Sequence, residues 1–121
     1  MNYGRKISGG KYHKQKKKKL HQRDSQARIV KLGKEKRKTL RVVSGYKKAV
    51  LLSSDVANVL DKETHKTKKA KIKNVIETPS NKFLARQNIL VKGAVIETDL
   101  GKARITNRPS QEGSVQAELL K

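Results

Sequence analysis

Charge placement constrains this chain more than any other feature of its sequence. Eighteen basic and 2 acidic residues fall within positions 1–48, against 13 basic and 8 acidic within 49–121. The formal net charge of the 121 residues is +21. A chain so one-sided repels itself when compact and needs a polyanion or many counterions. Nucleic acid is the first such partner to consider, and an anionic membrane surface the second. Apolar residues run the other way, 13 in the first 48 positions and 28 in the rest. The division that follows is a basic extension over 1–36 and a small folded body over 37–121.

Composition closes off several classes. Tyr3, Tyr12, Tyr46 and Phe83 are the only rings, so a large aromatic-anchored core is ruled out. The length suits one small domain plus an extension. With no cysteine, disulfide frameworks, thiolate zinc sites and cysteine nucleophiles are excluded. No apolar run approaches the roughly 18 residues of a membrane span, and the first residues lack the hydrophobic segment of a secretory signal. The expectation is a soluble intracellular protein with no membrane partner and no self-association.

Within the extension, 1–26 is the most extreme stretch. It holds Gly4, Gly9 and Gly10 and the run Lys16–Lys19, with little apolar beyond Ile7 and Leu20. It buries too little to offset its ordering entropy, so it is expected to be disordered when free. A short lysine cluster is often only a solvated tail. Here basic residues continue for some forty positions opposed only by Asp24 and Glu35. An arm that orders on phosphate is the better reading.

From Arg37 the pattern becomes strand-like. Arg37, Thr39 and Arg41 alternate with Lys38, Leu40 and Val42, and Ser44-Gly45-Tyr46 reads as a turn. Ala49–Leu52 is a short buried strand, while Val56–Leu60 suits helix or strand. Residues 61–65 form a connection. Lys66–Glu77 is a long strand with Ala70 and Ile72 on one face and Lys69, Lys71 and Lys73 on the other. Thr78-Pro79 predicts a cap and first turn for a short helix over 79–87, with Lys82 and Arg86 outward and Phe83 in the core. Residues 94–98 and 103–106 flank a tight connection at Asp99-Leu100-Gly101, and Val115, Ala117 and Leu119 alternate with polar neighbours. The fold class expected is all-β: a small barrel-like body of short strands with one helical turn, plus the extended basic arm.

Reactive groups do not converge. His13 and His21 lie in the arm and His65 in a connection, without a carboxylate cluster beside them. Lysines around them would repel a metal cation. The carboxylates show no Asp-x-Asp or His-Glu-x-x-His spacing, and Glu97 and Asp99 straddle a turn where they balance nearby lysines. Residues 4–10 resemble a phosphate loop, but Lys11 is followed by Tyr12 and no strand precedes. No enzyme, metal, cofactor or small-molecule substrate is expected.

What remains is phosphate-led binding, which follows shape and charge more than sequence. Guanidinium groups engage phosphate bidentately, which singles out Arg5, Arg23, Arg28, Arg37, Arg41, Arg86, Arg104 and Arg108. The candidate RNA-binding set adds Lys6, Lys11, Tyr12, Lys14, Lys16, Lys17, Lys18 and Lys19 in the arm. From the body it adds Lys36, Lys47, Lys48, Lys69, Lys71, Lys73, Lys82 and Lys92. Tyr12 and Tyr46 could stack on a base, though packing on the body suits Tyr46 equally well.

Gly4-Arg5-Lys6 followed by Ser8-Gly9-Gly10-Lys11-Tyr12 resembles the opening of the small-subunit ribosomal protein family S-eight-e of archaea and eukaryotes. Asn88-Ile89-Leu90-Val91-Lys92-Gly93-Ala94-Val95-Ile96-Glu97-Thr98, then Gly101–Thr106 and Arg108-Pro109, is similar to its C-terminal signature. Residues 56–59 and 81–86 also resemble family segments, and the length fits the archaeal form. The 61–65 turn departs from the family, with lysine and histidine where proline and glycine are expected, and Ser110 stands in place of glycine. The resemblance implies a cytoplasmic structural constituent of the small ribosomal subunit. Its partners would be small-subunit ribosomal RNA and neighbouring ribosomal proteins. A DNA-architectural chromatin protein is the alternative, since phosphate binding alone does not separate RNA from DNA.

Overall fold

The structure is a computed structural model and describes residues 4–12, 16–24 and 26–120. Its strands are β1 (Lys31–Leu32), β2 (Lys36–Arg41), β3 (Lys47–Ser54), β4 (Val56–Asp61), β5 (Lys66–Glu77), β6 (Val95–Thr98), β7 (Gly101–Ile105) and β8 (Gln116–Leu119). The one α-helix, α1 (Lys82–Arg86), lies between β5 and β6. Strands β4 to β8 close a barrel in sequence order. Neighbours run antiparallel except at the seam, where β8 meets β4 in parallel, Val59 opposite Ala117. Closure leaves the barrel no open edge. The all-β expectation holds, and 56–60, which suited helix or strand, is strand.

A five-stranded barrel has a narrow interior, which small and branched side chains fill. Ala57, Val59, Ala70, Ile72, Ile96, Ala103, Ile105 and Ala117 occupy it. Strand β5 needs a local irregularity to stay in register with both neighbours. It pairs with β4 through Lys71 and with β6 from Ile72 onward, with register shifts between Ile72 and Asn74 and between Val75 and Glu77. An extra residue in a strand reverses which face the following side chains take. Accordingly Ala70 and Ile72 point inward, but the next buried residue is Val75, and Ile76 is exposed.

A second sheet of order β1-β3-β2 sits against the barrel. Leu51 of β3, with Val30 and Leu90, joins the barrel's own core. Val30 O accepts from Leu90 N at 2.8 Å, and Leu32 N donates to Asn88 O at 2.9 Å. Arg28 Nε donates to Ser110 O at 3.2 Å. The folded body therefore takes in chain from about Arg28, earlier than the boundary expected at 37. The extension expected over 1–36 also includes 1–3, 13–15 and 25, which lie outside the described residues.

Two local expectations are corrected. Thr78 does not cap the helix: it is fully buried at the end of β5, and Asn81 takes the role, accepting from Phe83 N at 2.9 Å. The helix accordingly begins at Lys82 rather than at Pro79. Phe83 is not core either. It is 67% exposed, because a helix of five residues turns only Leu84 and Ala85 toward the body. Turn geometry, by contrast, falls where polar and glycine residues signalled it, with Ser44 at φ +65, Gly45 at φ +80 and Gly101 at φ +124. His65 adopts φ +51 at the position where the family resemblance leads one to expect glycine.

Candidate nucleic-acid interface

Strands β2 and β3 form a ribbon whose outer half is exposed on both faces. The register puts Arg37, Thr39 and Arg41 on one face with Leu51, Ala49 and Lys47 opposite them. Lys38 and Leu40 share the other face with Val50 and Lys48. Arg41 and Lys47 are thus direct cross-strand partners, an arrangement that costs free energy in isolation. The barrel does the reverse. There Asp61 faces Lys66, Glu97 faces Lys102 and Arg104 faces Glu118. Opposite charges face each other at these barrel positions, and like charges face each other at Arg41 and Lys47 on the ribbon.

The connection at the ribbon's end is fixed by backbone bonds from Val42 N to Tyr46 O at 2.8 Å and from Gly45 N to Val42 O at 3.2 Å. It holds Val43 and Tyr46 in solvent, 89% and 74% exposed, beside Arg41, Lys47 and Lys48. Sequence reasoning left Tyr46 out of the candidate set. Its place next to a Ser-Gly turn was the available signal, since a turn tip stays outside a core. Lys38 was also left out, and it is exposed on the same ribbon.

Lys69, Lys71 and Lys73 line the outer face of β5 as alternation predicts, and Lys73 Nζ lies 3.3 Å from Asp99 Oδ1. A groove of about 320 Å³ is lined by Lys69 of β5 and Arg37 of β2, together with Glu35. Arg37 also pairs with Glu35. A further ion pair joins Lys62 Nζ to Glu118 Oε2 at 2.8 Å.

In the arm, Arg5 and Lys11 bridge antiparallel across a closed loop. Lys6 N donates to Gly10 O at 2.8 Å, Gly9 N to Lys6 O at 2.9 Å and Arg5 Nη1 to Gly9 O at 3.1 Å. Gly4 and Gly9, at φ +79 and +82, permit that closure. Lys6 Nζ stands 5.9 Å from the Tyr12 ring centroid, a cation–π contact. Lys16–Lys19 and Arg23 are exposed along the following stretch, while Lys14 and His13 lie outside the described residues. Lys82 and Arg86 stand outward on α1, with Arg86 Cζ 5.8 Å from the Phe83 centroid. Lys92, Arg104 and Arg108 are exposed on loop and barrel positions, and the loop that follows Arg108 is bonded to β3 through Leu51 N. Among the described residues no three of His, Asp or Glu converge as metal ligands, and no helix is long and apolar enough to cross a membrane.

Comparison with known proteins decides the family. The family model described as Ribosomal protein S8e matches residues 1–120. The chain belongs to the ribosomal protein S8e family. It is 42% identical over 116 residues to the small ribosomal subunit protein eS8 of Methanocella arvoryzae, covering 96% of this chain and 93% of that one. The eS8 protein of Sulfurisphaera tokodaii is 42% identical over 118 residues, covering 97% and 92%. That of Methanococcus aeolicus is 42% identical over 119 residues, covering 96% and 91%. The C-terminal S8e signature is now legible as structure. Residues 88–90 hold the 30–32 segment on the body, and 94–98 with 101–106 are the β6–β7 wall of the barrel.

Proposed function

We propose that this chain is a non-catalytic constituent of the small ribosomal subunit, in the cytoplasm, that binds folded ribosomal RNA through phosphate contacts. The observation that carries this reading is the contrast in cross-strand pairing: opposite charges face each other in the barrel, whereas Arg41 faces Lys47 on the exposed ribbon. Like-charge pairing at an exposed position is relieved by an anion between the two groups. Folded RNA, in which packed helices concentrate phosphate, supplies it best.

The ribbon and the β5 lysines set the body on the RNA backbone, and Tyr46 at the ribbon tip offers a ring for an unpaired base. Lysines 16–19 follow a phosphate path away from the body and take their final course on RNA. The arm and body so divided stabilise the packing of RNA helices during subunit assembly, beside neighbouring ribosomal proteins. Copies of the chain repel one another and do not self-associate.

DNA binding is the competing outcome. In an equilibrium competition at equal phosphate concentration, folded small-subunit RNA is expected to displace duplex DNA from the protein. Displacement in the opposite sense would favour a DNA-architectural role.

A further inference from the structure

Several unusual features meet in one place, between the end of β5 and α1. A cleft of about 440 Å³ opens there, with Asn74, Thr78, Lys82, Arg86 and Asn88 on its walls. Both register shifts of β5 flank it, and bulges re-aim side chains beside functional sites. Asn88 holds a left-handed backbone at φ +52, uncommon outside glycine. The buried Thr78 hydroxyl has no partner among the described residues, and such groups are rare in folded proteins.

The two asparagines are oriented in the same way. Asn74 Oδ1 and Asn88 Oδ1 both accept from Val75 N, at 2.9 and 3.2 Å. Their amide groups are left as donors with no acceptor among the described residues. Two cations four positions apart on α1 add positive charge at the cleft, and Glu77 is its one carboxylate. Such a wall suits a ligand with a phosphate for Lys82 and Arg86, hydroxyls to donate to Glu77, and an acceptor-rich edge for the two amides. A ribonucleotide carries all three, and the volume lies in the range of small-ligand sites.

We infer that this cleft is a binding site for a single ribonucleotide, either free or extruded from an RNA strand. The inference rests on the RNA-binding reading above and adds a specific site to it. Neither the phosphate contacts of the ribbon nor those of the arm require it.

The test is a titration of the isotope-labelled full chain, following the side-chain amide signals of Asn74 and Asn88 by NMR. The probes are inorganic phosphate, uridine 5′-monophosphate and a single-stranded oligouridine. Saturable shifts with the monophosphate identify a free-nucleotide site. Shifts with the oligouridine alone identify a strand nucleotide. Equal shifts with inorganic phosphate would reduce the cleft to an anion site and overturn the inference. Asn88→Asp keeps an acceptor for Val75 N and tolerates the left-handed backbone, but replaces the donor with a negative charge. It is expected to weaken nucleotide binding by about tenfold or more, whereas Gln87→Glu, which adds the same charge beside the cleft, is expected to have little effect. If the amide signals never respond while ribosomal RNA still binds, the cleft inference falls alone. If ribosomal RNA does not bind either, the broader reading falls with it.

Discussion

Arg41 and Lys47 show how one residue can be unfavourable for the fold and favourable for the function. Exposed and opposite each other, they destabilise the free ribbon. Arg41→Glu should create a cross-strand ion pair worth roughly 0.2–1 kcal/mol and raise the denaturation midpoint. The same change should weaken binding to ribosomal RNA by about tenfold, as expected for loss of a phosphate contact. Thermal unfolding and a binding titration on one preparation check both halves. A variant that is less stable and binds equally well would mean that the pair is structural. Individual residues were unevenly legible in the sequence. Lys69, Lys71 and Lys73 stand outward as simple alternation predicts. Phe83 is exposed because helical spacing alone does not fix which face of a five-residue helix meets the body. Thr78 reads as a cap because threonine, unlike most capping residues, suits a helix cap and a β strand alike.

Strand positions are readable wherever alternation is unbroken, as in β2, the first part of β5 and β8, and the β6–β7 hairpin is marked by its short connection. The bulges in β5 were not readable, since they answer to pairing with two neighbours at once, which no local pattern encodes. The start of the body was hidden for a related reason: 26–36 is basic by composition, yet one residue of it, Val30, is 1% exposed in the barrel core. This gives paired truncations opposite outcomes. Removing 1–26 should leave the β signal in circular dichroism intact while weakening RNA binding strongly. Removing 1–36 also deletes Val30, β1 and the backbone bonds to Asn88 and Leu90. It should cost about 3 kcal/mol or more, from the buried side chain and the lost hydrogen bonds together. Equal stability of the two truncations would place the 28–34 segment outside the cooperative unit.

For the molecule as a whole, the charge asymmetry was sufficient to predict a polyanion partner, and the physics of phosphate contacts goes no further than that. The ribosome entered through the family signature, because no property of a basic ribbon distinguishes one folded RNA from another. The cleft beside α1 was illegible for a different reason: it depends on where two bulges bring Asn74 next to Asn88. If about eight phosphates are neutralised, the log–log dependence of affinity on salt should have a slope of roughly −6 to −7. A slope shallower than about −2 would mean that most of the charge is solvated tail. Sedimentation of cell extract through a gradient, with fractions probed for this protein before and after a high-salt wash, tests whether the chain takes a place in the small ribosomal subunit. Co-migration with small subunits that survives the wash is the predicted result. A free peak, or one that travels with DNA, would contradict it.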